Sequence, residues 1–199
     1  MSPPPLTCLL PLLLVCSTST FSANHHSRSK LSSLSLATAS YSYKSAAEAN
    51  IRIEAAGDEK GLGAFSASTI QCGTWVGEYH GEMLNLSEVE ARYWNKRQPA
   101  AADLQWTISR KRRNVGTSGD YLFDVGDDMF IDGEDADKSG WCRFMNHADD
   151  GTHECNIDTR CSWQIWDGEK IVQPRLWFLA ARDIGSGEEL CFDYGERYW

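Results

Sequence analysis

The chain has 199 residues and a net charge of −9, and 42% of its residues are hydrophobic, including eight Trp, seven Tyr and seven Phe. This is enough apolar material for one domain with a sizeable core. The acidic balance argues against a protein that tracks a phosphate backbone, so no direct nucleic-acid binding is expected. It suits a basic protein partner, although acids that serve only solubility would give the same charge.

The first 47 residues differ in composition from the rest of the chain. Residues 6–16 form an apolar run of signal-peptide length that is too short to span a bilayer, so residues 1–20 are predicted to be a signal peptide and no transmembrane segment is expected. Residues 21–47 are rich in Ser, basic and free of acids, which is typical of a disordered transit segment. This two-part leader favours a plastid, with secretion or a nuclear location as alternatives. The folded domain is predicted to cover residues 48–199.

Residues 48–199 contain many short extended segments and one helix signal. Strands are predicted at residues 50–54, 74–79, 121–125, 129–132, 162–166, 170–172 and 175–181. Gly-Asp-Asp at residues 126–128 predicts a hairpin. A capping box at residues 87–90 predicts a helix over residues 88–97. The basic stretch within residues 98–119 is interpreted as an inserted, solvated loop. The predicted fold class is therefore mostly-β α+β.

The cysteines lack the spacing of a zinc site, and no metal is expected. Those beyond the N-terminal segment are Cys72, Cys142, Cys155, Cys161 and Cys191. Core packing as free thiols is the favoured interpretation. A disulfide between Cys155 and Cys161 is the alternative.

Taken singly, the polar motifs say little about function. Residues 61–63 (Gly-Leu-Gly) are typical of a tight turn, and they lack the third glycine and the following helix of a dinucleotide-binding fingerprint. Asn146 and His147 could bind a metal, but neighbours on a strand face opposite sides, so a hydrogen-bonded structural His147 is the default. Cys142, His147 and Asp149 would permit a hydrolase, yet no nucleophile elbow is present.

Five motifs in order resemble the SET-domain protein-lysine methyltransferases. Residues 61–63 are similar to the family's G-x-G loop, and residues 79–82 (YHGE) to its Y-x-G-E strand end. Residues 121–124 (YLFD) are similar to the strand that lines its lysine channel. Residues 143–147 (RFMNH) resemble R-F-x-N-H, and residues 189–194 (ELCFDY) resemble E-L-x-F-D-Y. The resemblance extends over the whole predicted domain.

The resemblance implies a SET-domain β-clip of short curved sheets with a threaded C-terminal segment. It also implies methyl transfer from S-adenosylmethionine to a lysine of a basic protein substrate, either a histone or an organellar protein, by a monomeric enzyme. The residues implied to hold the cofactor are Gly61, Leu62, Gly63, Asn146, His147 and Trp199, the last by closing over it. The residues implied in catalysis are Tyr194, as the catalytic tyrosine, Tyr121, as a wall of the channel, and Phe192, where Phe in relatives permits di- or trimethylation.

The segment after His147 departs from the family pattern. The family continues with S-C-x-P-N, whereas residues 148–156 are longer and lack the serine, the early cysteine and the proline. No pre-SET or post-SET cysteine cluster is found, so a zinc site beside the channel is not expected. The alternative function is therefore a catalytically weak or inactive SET-fold module that binds a lysine-rich segment. A secreted acidic adaptor is a third hypothesis.

Overall fold

The computed structural model describes residues 40–57, 60–164 and 173–195. Its helices and strands, in chain order, are α1 Tyr41–Glu48, β1 Ile51–Ala55, β2 Leu62–Ser66, β3 Trp75–Glu78, β4 Glu82–Asn85, α2 Leu86–Arg92, α3 Ala101–Arg112, β5 Leu122–Gly126, β6 Met129–Asp132, β7 Asn146–His147, β8 Ile157–Gln164, β9 Gln173–Ala180 and β10 Cys191–Phe192. A 3₁₀ turn, Trp141–Phe144, precedes β7. Short strands predominate, so the predicted mostly-β α+β class is confirmed.

The described strands form small sheets that bring the end of the chain back to its middle. β1 and β2 form an antiparallel hairpin, β4, β6 and β5 lie side by side in that order, and so do β3, β9 and β8. The hairpin predicted around residues 126–128 is confirmed, because β5 and β6 pair antiparallel across them. β10 pairs with β7 in parallel, which places Cys191 beside Asn146 and Phe192 beside His147. Two of the sequence motifs are thus neighbours in space.

β8 begins earlier than the strand predicted at residues 162–166, because it already pairs with β9 from Ile157 onward. The last residues of that predicted strand, and the whole strand predicted at residues 170–172, lie outside the described residues.

The apolar core extends directly to the β7–β10 pair. Because side chains alternate along a strand, β9 turns Leu176, Phe178 and Ala180 inward, and each of them is at most 2% exposed. Phe192 of β10 packs against Phe178 with ring centroids 5.0 Å apart. Leu190, just before β10, is fully buried. The last motif of the chain is therefore part of the core as well as part of the candidate site.

Helix α1 corrects the predicted start of the folded domain. The prediction that residues 21–47 are disordered is wrong for the end of that range, because this helix packs on the domain. Ser42 is fully buried, and its hydroxyl donates to the carbonyl of Ser139 at 2.6 Å. The hydroxyl of Ser45 accepts the first backbone N–H of the 3₁₀ turn at 3.0 Å. Two serines of the stretch with transit-peptide composition thus hold α1 on the domain by hydrogen bonds, so the fold begins no later than Ser40.

The predicted start of α2 is also wrong, because a different residue caps the helix. Asn85 Oδ1 accepts the Glu88 N–H at 3.0 Å, and Glu88 Oε2 accepts the Asn85 N–H at 2.9 Å. This reciprocal pair is a capping box that starts at Asn85 rather than at Ser87. The helix also ends earlier than predicted, at Arg92.

Helix α3 occupies the region that the sequence predicted to be a loop. Its buried residues are Asp103 and Arg110, whereas Leu104 and Ile108 are exposed by 52% and 42%. An amphipathic helix normally shows the opposite arrangement, so a search for an apolar stripe does not find this one. Among the described residues, no helix is long and apolar enough to cross a bilayer.

Candidate functional site

The glycine loop joins β1 to β2 and lies against the C-terminal segment. Gly61 has a φ of 76°, a left-handed backbone conformation that favours glycine, and its carbonyl accepts the Ala56 N–H at 2.8 Å. Gly63 is closely surrounded, because a Cβ there would lie 2.5 Å from Glu189 Oε1 and 3.1 Å from Asn146 Nδ2. The two glycines are therefore required for different reasons, one for backbone shape and one for close approach.

Asn146 connects this loop to the last motif of the chain. It is buried, and its Nδ2 donates to the Leu62 carbonyl at 3.1 Å and to Glu189 Oε1 at 2.7 Å. Because both partners are acceptors, the nitrogen of the amide must face them, which fixes the orientation of the side chain. The structure thus brings together Leu62, Gly63 and Asn146, three of the residues that the resemblance implies in cofactor binding. It adds Glu189, which the sequence analysis placed in a motif without giving it a role.

His147 faces away from Asn146 and contacts the predicted catalytic tyrosine. Its Nδ1 accepts the backbone N–H of Tyr194 at 3.1 Å, and its Nε2 lies 3.0 Å from Asp149 Oδ1. Since Nδ1 accepts, the ring proton is on Nε2 and is donated to Asp149. The His147 and Tyr194 rings lie 5.4 Å apart. Both ring nitrogens of His147 are therefore engaged within the protein, as expected for a structural histidine.

Tyr194 is held at both ends by the β7 region. Its hydroxyl donates to the Met145 carbonyl at 2.6 Å, while its backbone N–H binds His147. The ring packs against Phe192 with centroids 4.8 Å apart. Phe192 is buried and stacks on Phe123 at 6.1 Å. Tyr194 therefore lies at the end of a continuous aromatic wall.

Tyr121 joins the same wall through Tyr79. The buried Tyr79 hydroxyl donates to the Tyr121 carbonyl at 2.8 Å, and the Tyr79 ring lies 5.7 Å from Phe123. Burial raises the pKa of Tyr79 well above its usual value, so its hydroxyl stays protonated. The Arg143 guanidinium lies 4.1 Å above the Tyr121 ring, a cation–π contact. The motif positions of Tyr79 and Arg143 were known from the sequence, but their contacts with Tyr121 were not.

Asn156 is the functional-site residue that sequence reasoning missed most clearly. It is fully buried, its Nδ2 donates to the Glu189 carbonyl at 2.8 Å, and its Oδ1 accepts the Cys191 N–H at 3.0 Å. Its backbone also bonds Cys191 and Ala181. This residue fastens the segment that carries Glu189 and Tyr194. The available signal was the Asn that ends the altered segment after His147.

The cysteines do not form a nucleophilic centre or a disulfide. Burial raises the pKa of Cys142, and it raises the pKa of Cys191 to about 12. Both thiols therefore stay protonated near neutral pH, which makes them poor nucleophiles. The hydrolase built on Cys142, His147 and Asp149 is not supported. All described cysteines are free, so the Cys155–Cys161 disulfide is wrong. Core packing as a free thiol is confirmed for the buried Cys142 and Cys191, whereas Cys72 is exposed.

Two further expectations concern Trp199 and a metal ion. Trp199, predicted to close over a cofactor, lies outside the described residues. Within residues 40–57, 60–164 and 173–195, no group of three or more His, Cys, Asp or Glu side chains could hold a metal ion.

The region that carries this site is also the region that matches known proteins. The family model described as "SET domain" matches residues 61–195. The chain is 29% identical over 134 residues to Histone-lysine N-methyltransferase ASHH3 of Arabidopsis thaliana, covering 67% of this chain and 29% of that protein. It is 26% identical over 139 residues to N-lysine methyltransferase KMT5A-A of Danio rerio, covering 69% and 33%. It is 30% identical over 146 residues to Histone-lysine N-methyltransferase EHMT1 of Mus musculus, covering 71% and 9%. The chain thus spans a third or less of the length of these relatives.

Proposed function

The chain belongs to the SET-domain family, as its ordered motifs predicted, and on this premise we propose that it is a protein-lysine N-methyltransferase that uses S-adenosylmethionine. The observation that carries the proposal is the contact made by two adjacent residues of β7. Asn146 bonds the glycine loop, and His147 bonds Tyr194. A cofactor held at the loop would therefore lie next to the tyrosine. The relatives described above are named as lysine methyltransferases, which agrees with this activity.

The residues at the glycine loop fit S-adenosylmethionine. This cofactor combines a positive sulfonium, an amino-acid group and a flat adenine, so it needs polar partners and a backbone that can approach closely. Gly63 leaves no room for a side chain, and the Asn146 amide and the Glu189 carboxylate lie directly beside it. The residues that would hold the cofactor are Gly61, Leu62 and Gly63, through their backbone, and Asn146, through its amide. When bound, the cofactor supplies an electrophilic methyl group on its sulfur.

The aromatic wall suits a lysine side chain that must react as a neutral amine. A free lysine has a pKa near ~10.4, so in water it is almost entirely an ammonium ion at neutral pH. Phe123, Phe192 and Tyr121 offer apolar surfaces that exclude water, and loss of water disfavours the charged form. The same walls restrict the amine to one direction of approach, which is a proximity effect. Substrate binding in this proposal therefore also promotes deprotonation.

Tyr194 would orient that amine without forming a covalent bond to it. Its proton is donated to the Met145 carbonyl, so toward an amine the Tyr194 oxygen acts as an acceptor. His147 holds the backbone of Tyr194, and this is the role that we assign to the histidine in place of a side-chain contact with the cofactor. The two hydrogen bonds fix the tyrosine before substrate arrives, which is the preorganisation that electrostatic catalysis requires.

The first test is methyl transfer by the full-length protein from labelled S-adenosylmethionine. Core histones and a plastid-stroma extract serve as parallel substrate pools. We expect label in protein of one pool and a decrease of roughly 100- to 1,000-fold in Tyr194→Phe, because the hydroxyl is lost while the ring still packs. Tyr41→Phe is the matched control, since Tyr41 is 45% exposed, and its activity should equal that of the wild type.

The outcomes separate the two candidate functions. Transfer that is unchanged in Tyr194→Phe would remove Tyr194 from the mechanism. Cofactor binding without transfer to either pool would favour the alternative, a module that grips a lysine-rich segment; the exposed residues Asp149, Asp150 and Glu154 of the altered segment would provide its acidic surface. A wild-type protein that neither binds the cofactor nor transfers label would contradict both.

The methylation state is proposed from Phe192. This residue packs between Phe178 and Tyr194 and carries no hydroxyl that could bind the substrate amine or a water next to it. We therefore propose a di- or trimethylated product. Phe192→Tyr should shift the product toward monomethyl-lysine, as measured by mass spectrometry of the modified peptide, and an unchanged product distribution would contradict the assignment.

For residues 1–39 we propose a targeting leader that directs the protein to a plastid. The leader would end before Ser40, because α1 belongs to the folded domain. Imaging of the full-length chain with a C-terminal fluorescent tag should show it in plastids, whereas nuclear or secreted fluorescence would favour one of the alternatives. A basic protein substrate and a monomeric state belong to the same proposal.

A further inference from the structure

Glu189 is a mostly buried carboxylate at the centre of the candidate cofactor site. Its side chain is 19% exposed, and its Oε1 accepts a hydrogen bond from Asn146 Nδ2 at 2.7 Å. Its Oε2 lies 3.9 Å from the Lys60 ammonium, at the outer limit for an ion pair. The backbone of the same residue is fixed by the Asn156 amide. The carboxylate therefore has a defined position, and its hydrogen bond to Asn146 is shorter than its contact with Lys60.

Residue 63 lies against this carboxylate. A Cβ at position 63 would come within 2.5 Å of Glu189 Oε1, 2.9 Å of Ala56 Cβ and 3.1 Å of Asn146 Nδ2. A side chain there would crowd Ala56 and push the Glu189 carboxylate away from its present position. Glycine at position 63 therefore lets the carboxylate stay beside Asn146.

We propose that Glu189 is a positioning residue of the cofactor site: its carboxylate holds the Asn146 amide in the orientation that binds S-adenosylmethionine. This inference rests on the proposed function. The Leu62 carbonyl alone would give the amide nitrogen one neutral acceptor, whereas Glu189 adds a charged one. Hydrogen bonds to charged acceptors are roughly twice as strong as neutral ones. The nitrogen of Asn146 is thereby turned to the protein, and its oxygen is directed to the opposite side.

Positioning through Asn146 has a signature that a direct charge effect lacks. S-adenosylmethionine and S-adenosylhomocysteine share the amino-acid and adenosine parts and differ in the charge at sulfur. A misplaced Asn146 amide would weaken both ligands equally. A carboxylate that acted through its field on the sulfonium would favour the positive ligand alone.

The test measures the dissociation constants of both ligands by calorimetry with the full-length protein. We expect Glu189→Gln to weaken both by about tenfold, since it keeps the shape of the side chain but removes the charge. Glu188→Gln is the matched control: this neighbouring carboxylate accepts the Gly185 N–H at 2.9 Å and pairs with Arg182, and its loss should leave both constants unchanged. Thermal unfolding of each variant measures any effect on the fold.

A double-mutant cycle with Asn146→Ala completes the test. If Glu189 acts through Asn146, then adding Glu189→Gln to Asn146→Ala should cause no further loss of affinity. A full additional tenfold loss, a loss confined to S-adenosylmethionine, or a Glu189→Gln variant with wild-type affinity would each overturn the inference. If the wild type binds neither ligand, it is the proposed function that fails.

Discussion

Two regions of this protein are fastened by different kinds of polar group. Around the C-terminal segment, the side-chain amides of Asn146 and Asn156 bind backbone groups and one carboxylate. We call these two residues the amide clamp. Between α2, α3 and the β4–β6–β5 sheet, buried side chains of opposite charge bind one another. We call them the charge clamp, and its members are Arg92, Asp103, Arg110 and Asp132.

Arg110 is the centre of the charge clamp. It is 1% exposed, and one of its terminal nitrogens contacts the carboxylate of Asp132 and lies 3.1 Å from Glu82. Its other terminal nitrogen donates to the Tyr93 hydroxyl at 3.1 Å, and that hydroxyl in turn donates to Asp132 at 2.5 Å. Burial and the neighbouring Asp132 raise the pKa of Tyr93. These contacts attach α3 to the sheet, together with Trp106 of the same helix, whose ring lies 5.6 Å from the Tyr93 ring.

The two clamps differ in what happens when one partner is removed. When a side-chain amide is removed, its backbone partners are left without a hydrogen bond. Each unpaired backbone group lowers the free energy of unfolding by a limited amount. A buried charge that loses its partner remains in a low-dielectric interior, which costs more, even though the intact pair contributes little net stability. The charge clamp, which has no role in the proposed function, is therefore more sensitive to substitution than the amide clamp.

The largest expected effect is that of Arg110→Ala. It should lower the free energy of unfolding by about 3–5 kcal/mol, because the buried carboxylate of Asp132 is left without its cation. Urea denaturation measures the change. Lys111→Ala is the matched control, since Lys111 is exposed on the same helix, and it should alter the free energy by at most about 0.5 kcal/mol. Equal effects of the two substitutions would show that the charge clamp is not structural.

Asn156→Ala should come next in size. It leaves the Glu189 carbonyl and the Cys191 N–H without their side-chain partner, so we expect a loss of about 2–4 kcal/mol in the free energy of unfolding. Because these residues lie beside the site, cofactor affinity should fall as well. Gln105→Ala is the control, since Gln105 is exposed on α3, and it should change neither the free energy of unfolding nor the cofactor affinity. A loss below about 1 kcal/mol would mean that water replaces the missing amide.

The smallest expected effect is a dependence of stability on pH, which the charge clamp should show and the amide clamp should not. The Ala100 N–H and the Arg92 and Arg97 guanidinium groups lower the pKa of Asp103 to about 2. Since this pKa is below its unfolded value of about 3.9, the stabilisation is complete above that value and is lost as pH falls toward 2. The difference in Tm between Asp103→Asn and the wild type should therefore be constant near neutral pH and should shrink below about pH 4.

Asn156→Ala provides the control for this titration. The difference in Tm between Asn156→Ala and the wild type should stay constant over this range, because an amide does not titrate. A difference in Tm between Asp103→Asn and the wild type that persists at the lowest pH would contradict the role assigned to the Asp103 charge.

The sequence by itself determined the elements whose signals are local. Turn residues at positions 126–128 specify a hairpin between two apolar segments, and the structure has β5 and β6 there. The motifs at residues 61–63, 143–147 and 189–194 name most of the candidate site, because each is a short run of characteristic side chains. The family followed from their order, and contacts join the three motifs, from Leu62 to Asn146 and from His147 to Tyr194.

Only the tertiary structure decided which charges and amides are buried, and with what partner. Arg110 belongs to a basic run that is typical of a solvated loop, and it becomes a core residue because Asp132, from a distant strand, neutralises it. Asn146 contacts Leu62 across 84 positions of sequence, and Ser42 contacts Ser139 across 97. A local pattern cannot anticipate such pairs, since the cost of burying a polar group depends on a partner that only the fold supplies.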